Sequence, residues 1–433
     1  MAKKILLIDP PFQKFMGFSK NGIPLGLLSL AGSLKEKGHS VEVLDSDYNP
    51  SGTPYPFMAK IEHYDEYLNN LYNGDHQIWK GIASQIERTK PDVVGVSMIS
   101  TKLQSGLRVA HIAKDLGVER VIAGGPHVTI FPGDALNNKY VDSVVRGEGE
   151  EVFEKALVDE VVRADRIKNI KSMAWPARET LIGIENYQPK DLGFVMTSRG
   201  CPGSCNFCCS ESLWGNTVRM RDIEDVVAEM DSVHENYGTN KFYVVDDTFT
   251  LGRKRVEKFC DNVSDRGYEW SCLTRVDKLD EGILEKMAGS GCSMVKVGVE
   301  SGSQKVLDLM NKETSVEQIK YAAGLLNDKK MPWLSYIMVG VPGETSEDVD
   351  KTMKLIEEVR PSYVSAAIYT PYPGTGFSEQ GKGLDFALEE ANHHSMKVLA
   401  GDVPREKIIE FMEFADKYNH DSKKAHEMYN IKD

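Results

Sequence analysis

Cys201, Cys205 and Cys208 are the residues best equipped for chemistry, spaced C-x3-C-x2-C in FVMTSRGCPGSCNFCC directly after an apolar run. Thiolates are soft ligands that select iron-sulfur chemistry or zinc, and geometry must decide between the two. Three of them on one tight loop suit three irons of a cubane and leave the fourth iron without a protein ligand. A structural zinc site normally brings a second ligand pair at finger or ribbon spacing, and none follows. Gly200, Pro202, Gly203 and Ser204 let the backbone fold closely around a bound group. The chain has seven cysteines, an odd number, with four of them inside nine residues. Ligation in a reducing, cytoplasmic compartment is therefore expected rather than a disulfide framework. Cys260, Cys272 and Cys292 fall in a helical and two strand regions, where buried structural thiols are the default.

These residues need a scaffold, and 433 residues at roughly 100 to 200 per domain allow two or three domains. Hydrophobic residues make up 41% and charged residues 27%, an ordinary globular balance. The net charge of -13, from 52 basic and 65 acidic residues, gives no reason to expect nucleic acid as the main partner. The start, MAKKILLIDPPF, reads as a buried strand rather than a signal peptide, and no transmembrane segment is expected. Residues 1–160 alternate strands (3–9, 41–45, 92–97, 120–125, 142–146) with helices (26–37, 76–90, 103–116, 149–160), an α/β doubly wound, Rossmann-like pattern. Residues 48–75 read as a ligand-end excursion or a surface loop. Residues 161–192 read as a linker. A second βα series follows over 193–376, with strands at 193–198, 241–246, 269–274, 293–299, 333–339 and 362–368, which fits a parallel barrel or partial barrel. Residues 377–433 read as a helical C-terminal cap.

The cysteine motif, with Phe207 just before its third cysteine, resembles the radical S-adenosylmethionine superfamily. That resemblance implies a partial (β/α)6 TIM-like barrel and a 4Fe-4S cluster whose open iron binds the amino and carboxylate groups of S-adenosylmethionine. Cys209 is a fourth ligand or, more simply, a free thiol, since a fourth protein ligand would close that iron. Asp246 and Asp247, in YVVDDTFT, match the position that holds the methionine amino group, a helix cap being the alternative. Arg275 can fork onto the methionine carboxylate or pair with Asp277. Glu300 and Ser301 resemble the ribose-binding segment. Val339, Gly340 and Val341 match the segment beside adenine, while Gly343 and Glu344 turn the chain.

Neither G-x-G-x-x-G nor G-x-x-x-x-G-K-[ST] occurs in the first domain, so nicotinamide, flavin and P-loop readings lose their support. IDPPF, SMISTKL, AGGPHVT and RGEGEE, followed by the cysteine loop, resemble instead the cobalamin-binding branch of the radical enzymes. Pro10, Phe12, Ser97, Ser100, Thr101, Gly124, Gly125, His127 and Glu148 are the implied cobalamin contacts, with hydroxyls for the nucleotide tail and glycines for close approach. The D-x-H-x-x-G motif is absent, so His127 is expected to be a polar contact rather than a cobalt ligand. The resemblance implies a methyltransferase acting on an unactivated carbon through a 5'-deoxyadenosyl radical and methylcobalamin, fed by an external electron donor such as flavodoxin or ferredoxin. A cobalamin-dependent cyclase or rearrangement enzyme and a cobalamin sensor or carrier are the alternatives. The substrate, a peptide or protein side chain or a small molecule, is left open. Trp214, Trp333, Tyr369 and Tyr372 line a substrate cavity or pack the interior.

Overall fold

The computed structural model describes residues 2–18, 22–51, 56–379 and 387–422. The chain divides into two compact units, one of residues 1–53, 63–192 and 386–390, the other of 54–62, 193–385 and 391–433.

In the first unit KILLID makes β1 (Lys4–Asp9), in which every residue after Lys4 is buried. Such a strand, apolar on both faces, belongs in the middle of a covered parallel sheet. With β2 (Ser40–Asp45), β3 (Val93–Ser97), β4 (Arg120–Gly124), β5 (Ser143–Arg146) and β6 (Val161–Arg163) it forms a parallel sheet in the order β2-β1-β3-β4-β5-β6. The helices Leu25–Glu36, Gln77–Thr89 and Leu103–Asp115 fall where their apolar period predicts. The order reverses between β1 and β3, which is where such sheets bind ligands, outside the carboxyl ends of the strands.

Three expectations change here. Residues 149–160 form no α-helix but a single 3-10 turn, Phe153–Leu157, because only Phe153 and Ala156 of that segment's apolar residues are buried, too few for an amphipathic face. The sheet runs on into the segment read as linker, since β6 pairs with β5. Residues 48–75 are not one loop: they contain helices Phe57–Glu62 and Tyr64–Tyr72, the latter burying Tyr64, Tyr67 and Leu71 on one side.

In the second unit the run at 193–198 splits. β7 (Phe194–Val195) joins the large sheet, whereas β8 (Ser198–Arg199) pairs antiparallel with β9 (Arg219–Met220). The large sheet adds β10 (Lys241–Val244), β11 (Glu269–Arg275), β12 (Cys292–Glu300), β13 (Trp333–Val339) and β14 (Tyr363–Ile368), all parallel, in the order β14-β13-β12-β11-β10-β7. β14 and β7 are not paired with each other among the described residues. One face, with Val244, Cys272, Val295, Val297, Ile337 and Ala366, packs into the helix-side core, each fully buried aliphatic contributing about 1.5–3 kcal/mol. Cys260 and Cys292 are buried in the same core, as are Trp333 and, in a smaller cluster, Tyr369. Edge strand β14 is shielded, because Asn419 accepts from the Val364 N–H at 2.9 Å and donates to its carbonyl at 2.8 Å. Asn419 lies on helix Arg405–Asp421, within the expected C-terminal cap. Residues 380–386 and 423–433 of that cap lie outside the described residues. No helix among the described residues is long and apolar enough to cross a membrane.

Candidate functional site: the cysteine loop and the carboxyl edges of two sheets

The cysteine loop leaves β8 at Gly200 and ends in the short helix Ser210–Trp214. Polar contacts from elsewhere in the sheet's carboxyl edge pin it. The Asn206 N–H donates to the Met310 carbonyl at 2.8 Å and its side chain to the Leu309 carbonyl at 2.8 Å. Asn311 donates to the Ser204 carbonyl at 2.9 Å. Backbone N–H groups point at two of the sulfurs, Gly203 to Cys201 Sγ at 3.5 Å and Ser210 to Cys208 Sγ at 3.4 Å. Protein crowded around the loop pushes the thiol of surface-exposed Cys208 up to about 12 and raises Cys205 and Cys209, while Lys312 and Arg275 pull Cys205 back down. Metal loading at such thiols releases protons. Among the described residues no three His, Cys, Asp or Glu side chains converge on one ion-sized position. A cubane asks for one thiolate per iron, and three soft sulfurs with N–H donors at two of them suit an iron-sulfur cluster. Cys209 precedes the short helix and stands beside Asp247 and Cys208.

The carboxylates after β10 separate in role. Asp246 is buried and accepts from the N–H groups of Thr197 and Ser198, at 2.7 and 3.0 Å, and from both of their hydroxyls. That capture pulls the backbone off the ladder after β7, which is why the expected strand splits. With its oxygens so occupied, Asp246 supports the loop from below. Asp247 is exposed and accepts from the Ser210 hydroxyl at 2.8 Å, and the crowding of protein around it raises its carboxyl.

Arg275 makes both of the contacts its surroundings offer. Its Nε donates to Asp277 at 2.8 Å and one Nη to the Lys312 carbonyl at 2.8 Å. The other Nη faces the loop: a Cβ placed on Gly203 would lie 3.6 Å from it and 3.5 Å from Cys201 Sγ. Glu300 adopts φ +64° at a bulge of β12 and pairs with buried Lys312 at 2.7 Å. A Cβ on Gly298 would overlap Glu300 Oε1 and stand 2.7 Å from Lys312 Nζ, so glycine there makes room for the pair. Ser301 is fully buried, its hydroxyl bonded to Thr352 Oγ1 at 3.1 Å and to the Ser303 N–H at 3.1 Å. Its hydroxyl holds the turn rather than facing an open site. The Val339 side chain is likewise in the core, so only backbone from Val339 and Gly340 is available to a ligand. Glu344 does more than turn the chain, since it accepts from the Gly340 and Val341 N–H groups at 2.6 and 3.1 Å.

In the first unit Ser97, Ser100, Gly124 and Gly125 lie partly open at or just beyond the carboxyl edge of the sheet. Gly125 has φ +97°, and a Cβ there would sit 2.9 Å from Met98 N and O. Phe12 and Pro10 are buried, Phe12 edge-on to Tyr67 at 4.7 Å. Thr101 is buried and takes the Tyr67 hydroxyl on its carbonyl. Glu148, also buried, accepts from the Ile167 N–H at 2.7 Å. His127 is buried with both ring nitrogens engaged, by Ser100 Oγ at 3.0 Å and by Asp134 at 3.0 Å, and burial lowers its pKa.

Two cations escaped sequence reasoning. Lys312 lies in an unremarkable N-K-E-T run. Lys102 is buried at the strand switch, bonded to Asp9 at 2.9 Å and Asp47 at 3.1 Å, while Asp47 also accepts from the Phe12 N–H at 2.7 Å. The loops after β1, β2 and β3 are thereby clamped together, and only Lys102 lying within SMISTKL hinted at it.

Residues 195–356 match the radical SAM superfamily model and residues 18–157 the B12-binding domain model. Over 402 residues the chain is 31% identical to a Pyrococcus horikoshii protein named as an uncharacterized methyltransferase, covering 86% of this chain and 82% of that one. It is 30% identical over 347 residues to the anaerobic magnesium-protoporphyrin IX monomethyl ester cyclase of Rubrivivax gelatinosus, covering 72% of this chain and 62% of the cyclase. The fold resembles that of the radical S-adenosylmethionine methyltransferase TsrM from Kitasatospora setae, with a TM-score of 0.66 at 17% identity over 89% of this chain and 76% of TsrM. Two domain matches in series and a relative aligned across both show that the chain belongs to the radical S-adenosylmethionine enzymes that carry a B12-binding domain, with a 4Fe-4S cluster, S-adenosylmethionine and cobalamin as cofactors.

Proposed function

We propose that this enzyme transfers a methyl group to an unactivated carbon of an organic substrate. The observation that carries the reading is the relative named as a methyltransferase, alike across both domains at 31% identity. When bound, the cluster with S-adenosylmethionine supplies a hydrogen-abstracting 5'-deoxyadenosyl radical and the cobalamin supplies a methyl carrier. Cys201, Cys205 and Cys208 hold three irons, and Cys209 stays outside the ligand set. Asp247 takes the methionine ammonium and the open Nη of Arg275 its carboxylate. Glu300, kept in place by Lys312, faces the ribose, and the backbone of Val339 and Gly340, kept in place by Glu344, faces adenine. Residues 1–160 form the cobalamin domain, in which Ser97, Ser100, Gly124 and Gly125 lie nearest the ligand while Lys102 and His127 set the loops. Residues 161–192, with β6 in the first sheet, complete that unit, 193–376 form the radical domain, and most of 377–433 caps the second unit. Electrons come from an external donor such as flavodoxin or ferredoxin, and the enzyme works in the cytoplasm.

Methyl-deuterated S-adenosylmethionine tests the reading. With substrate, each labelled product should appear with one 5'-deoxyadenosine and one S-adenosylhomocysteine. The cyclase relative, 30% identical over most of this chain, favours a second reading, cyclisation or rearrangement. Product without the label, formed with deoxyadenosine but no S-adenosylhomocysteine, replaces methyl transfer by that chemistry.

A further inference from the structure

One cation on the inner face of the second sheet has no use in the chemistry above. Lys296 lies mid-strand in β12, in register with Leu273 of β11 and Leu334 of β13. Its neighbours Val295 and Val297 enter the helix-side core. Alternation therefore puts Lys296 on the opposite face, where it is half-buried. Its Nζ stands 3.8 Å from the centre of the Tyr243 ring. The Tyr243 hydroxyl stands beside that of Tyr336, whose phenol is raised first by burial and then by Glu300.

The other cations of this face are neutralised, Arg275 by Asp277 and Lys312 by Glu300. Among the described residues Lys296 has the tyrosine ring and no carboxylate. Burial accordingly pulls its ammonium down to about 8. A ring face attracts a cation only modestly, and an ammonium withdrawn from water without a counter-charge is unfavourable. A bound anion would reverse that. From Lys296 to Glu300 is four residues, about 13 Å along an extended strand. Arg275 is nearer, level with Gly298 and two residues or about 7 Å further along the strand. Its guanidinium, however, is held by Asp277 and the Lys312 carbonyl with its open Nη toward the cysteine loop, so the methionine carboxylate falls to Arg275 and Lys296 is left for another anion.

We infer that Lys296, with the hydroxyls of Tyr243 and Tyr336, forms an oxyanion subsite on the inner face of the sheet that holds a carboxylate or phosphate-type group of the organic substrate. Calling the occupant the substrate rests on the reading under Proposed function; the existence of the subsite does not. The geometry selects an acidic small molecule or an acidic side chain over a neutral one.

Full-length, cluster-loaded protein grown on ε-13C-lysine tests this, with the Lys296 resonance assigned by its loss in both Lys296→Arg and Lys296→Met. Propionate, methylphosphonate and neutral propionamide serve as probes. The Lys296 signal should move saturably with at least one of the two anions, its titration midpoint should rise, and Tyr336→Phe should weaken that response about threefold or more. The anion giving the tighter response identifies the group as carboxylate or phosphonate. No movement with either anion, movement equal to that caused by propionamide, or movement shared by the exposed lysines overturns the subsite. Loss of methyl transfer as the reaction would leave the anion response standing, so the two failures are distinguishable.

Discussion

Asp246 and Asp247 adjoin in sequence and differ in what surrounds them. Asp246 is buried under four donors from Thr197 and Ser198, so Asp246→Asn, which puts an NH2 group against donors, should lower stability by about 3 kcal/mol in urea unfolding. Asp247 keeps an exposed surface, and the protein crowded around it, with Asp246 beside it, raises its carboxyl. A raised carboxyl keeps its proton to higher pH when folded, so ionisation between the unfolded value near 3.8 and the folded one works against the fold. Asp247→Asn should therefore leave neutral-pH stability unchanged or slightly higher while weakening S-adenosylmethionine about tenfold in equilibrium dialysis. Unchanged affinity would remove Asp247 from the methionine site. At the loop itself, joint replacement of Cys201, Cys205 and Cys208 by Ala should abolish the cluster's visible absorption, and Cys209→Ala should keep it. His127 has both nitrogens occupied by Ser100 and Asp134. His127→Ala should thus cost about 1–3 kcal/mol of stability, through loss of a buried ring and of both its hydrogen bonds, without changing the nitrogen hyperfine pattern of bound cobalamin.

At the scale of elements, the end of β12 is the most constrained feature. The bulge, the positive φ of Glu300 and the lack of a side chain at Gly298 together let the Glu300 carboxylate fold back onto Lys312 over Gly298. Gly298→Ala should separate the pair, lowering stability by about 1–3 kcal/mol and S-adenosylmethionine affinity together, as thermal unfolding and dialysis would record. Strands covered on both faces were legible in the sequence because an unbroken apolar run has few other places to go, and β1, β3, β4 and β13 fall within a residue or two of their expected limits. The errors occur where a polar side chain overrides the apolar pattern. Asp246 breaks the run at 193–198 from a position some fifty residues on. The Tyr64, Tyr67 and Leu71 stripe was present at helical spacing but hidden among Asn, Gly and Pro. The cysteine loop was legible because its ligands are local; the Glu300–Lys312 and Lys102–Asp9–Asp47 pairings were not, since they join residues that only the fold brings together.

At the scale of the whole molecule, each unit has its own sheet and its own carboxyl edge, so ligand binding should stabilise the units separately. A ligand that binds only the folded form adds about 2.7 kcal/mol at a hundred times its dissociation constant. In the full-length protein, hydroxocobalamin should therefore slow amide exchange in peptides from the first unit, above all those spanning residues 9–12, 97–103 and 124–130, where β1, β3 and β4 end. S-adenosylmethionine, added to cluster-loaded protein, should instead protect 200–210, 245–250 and 298–303. The expectation depends on where the open polar groups are rather than on the domain matches alone: Ser97, Ser100, Gly124 and Gly125 are accessible at the first edge, and Cys208 and Asp247 at the second. Lys102 sharpens it, since the clamp joining Asp9 and Asp47 ties the loops after β1, β2 and β3 into one body. Lys102→Met should let those loops exchange faster without ligand and reduce cobalamin protection there, while S-adenosylmethionine protection of the second unit stays as in the parent. Cobalamin protection centred on 200–210 in place of 97–103 would show that the corrin is not held at the strand switch of the first sheet.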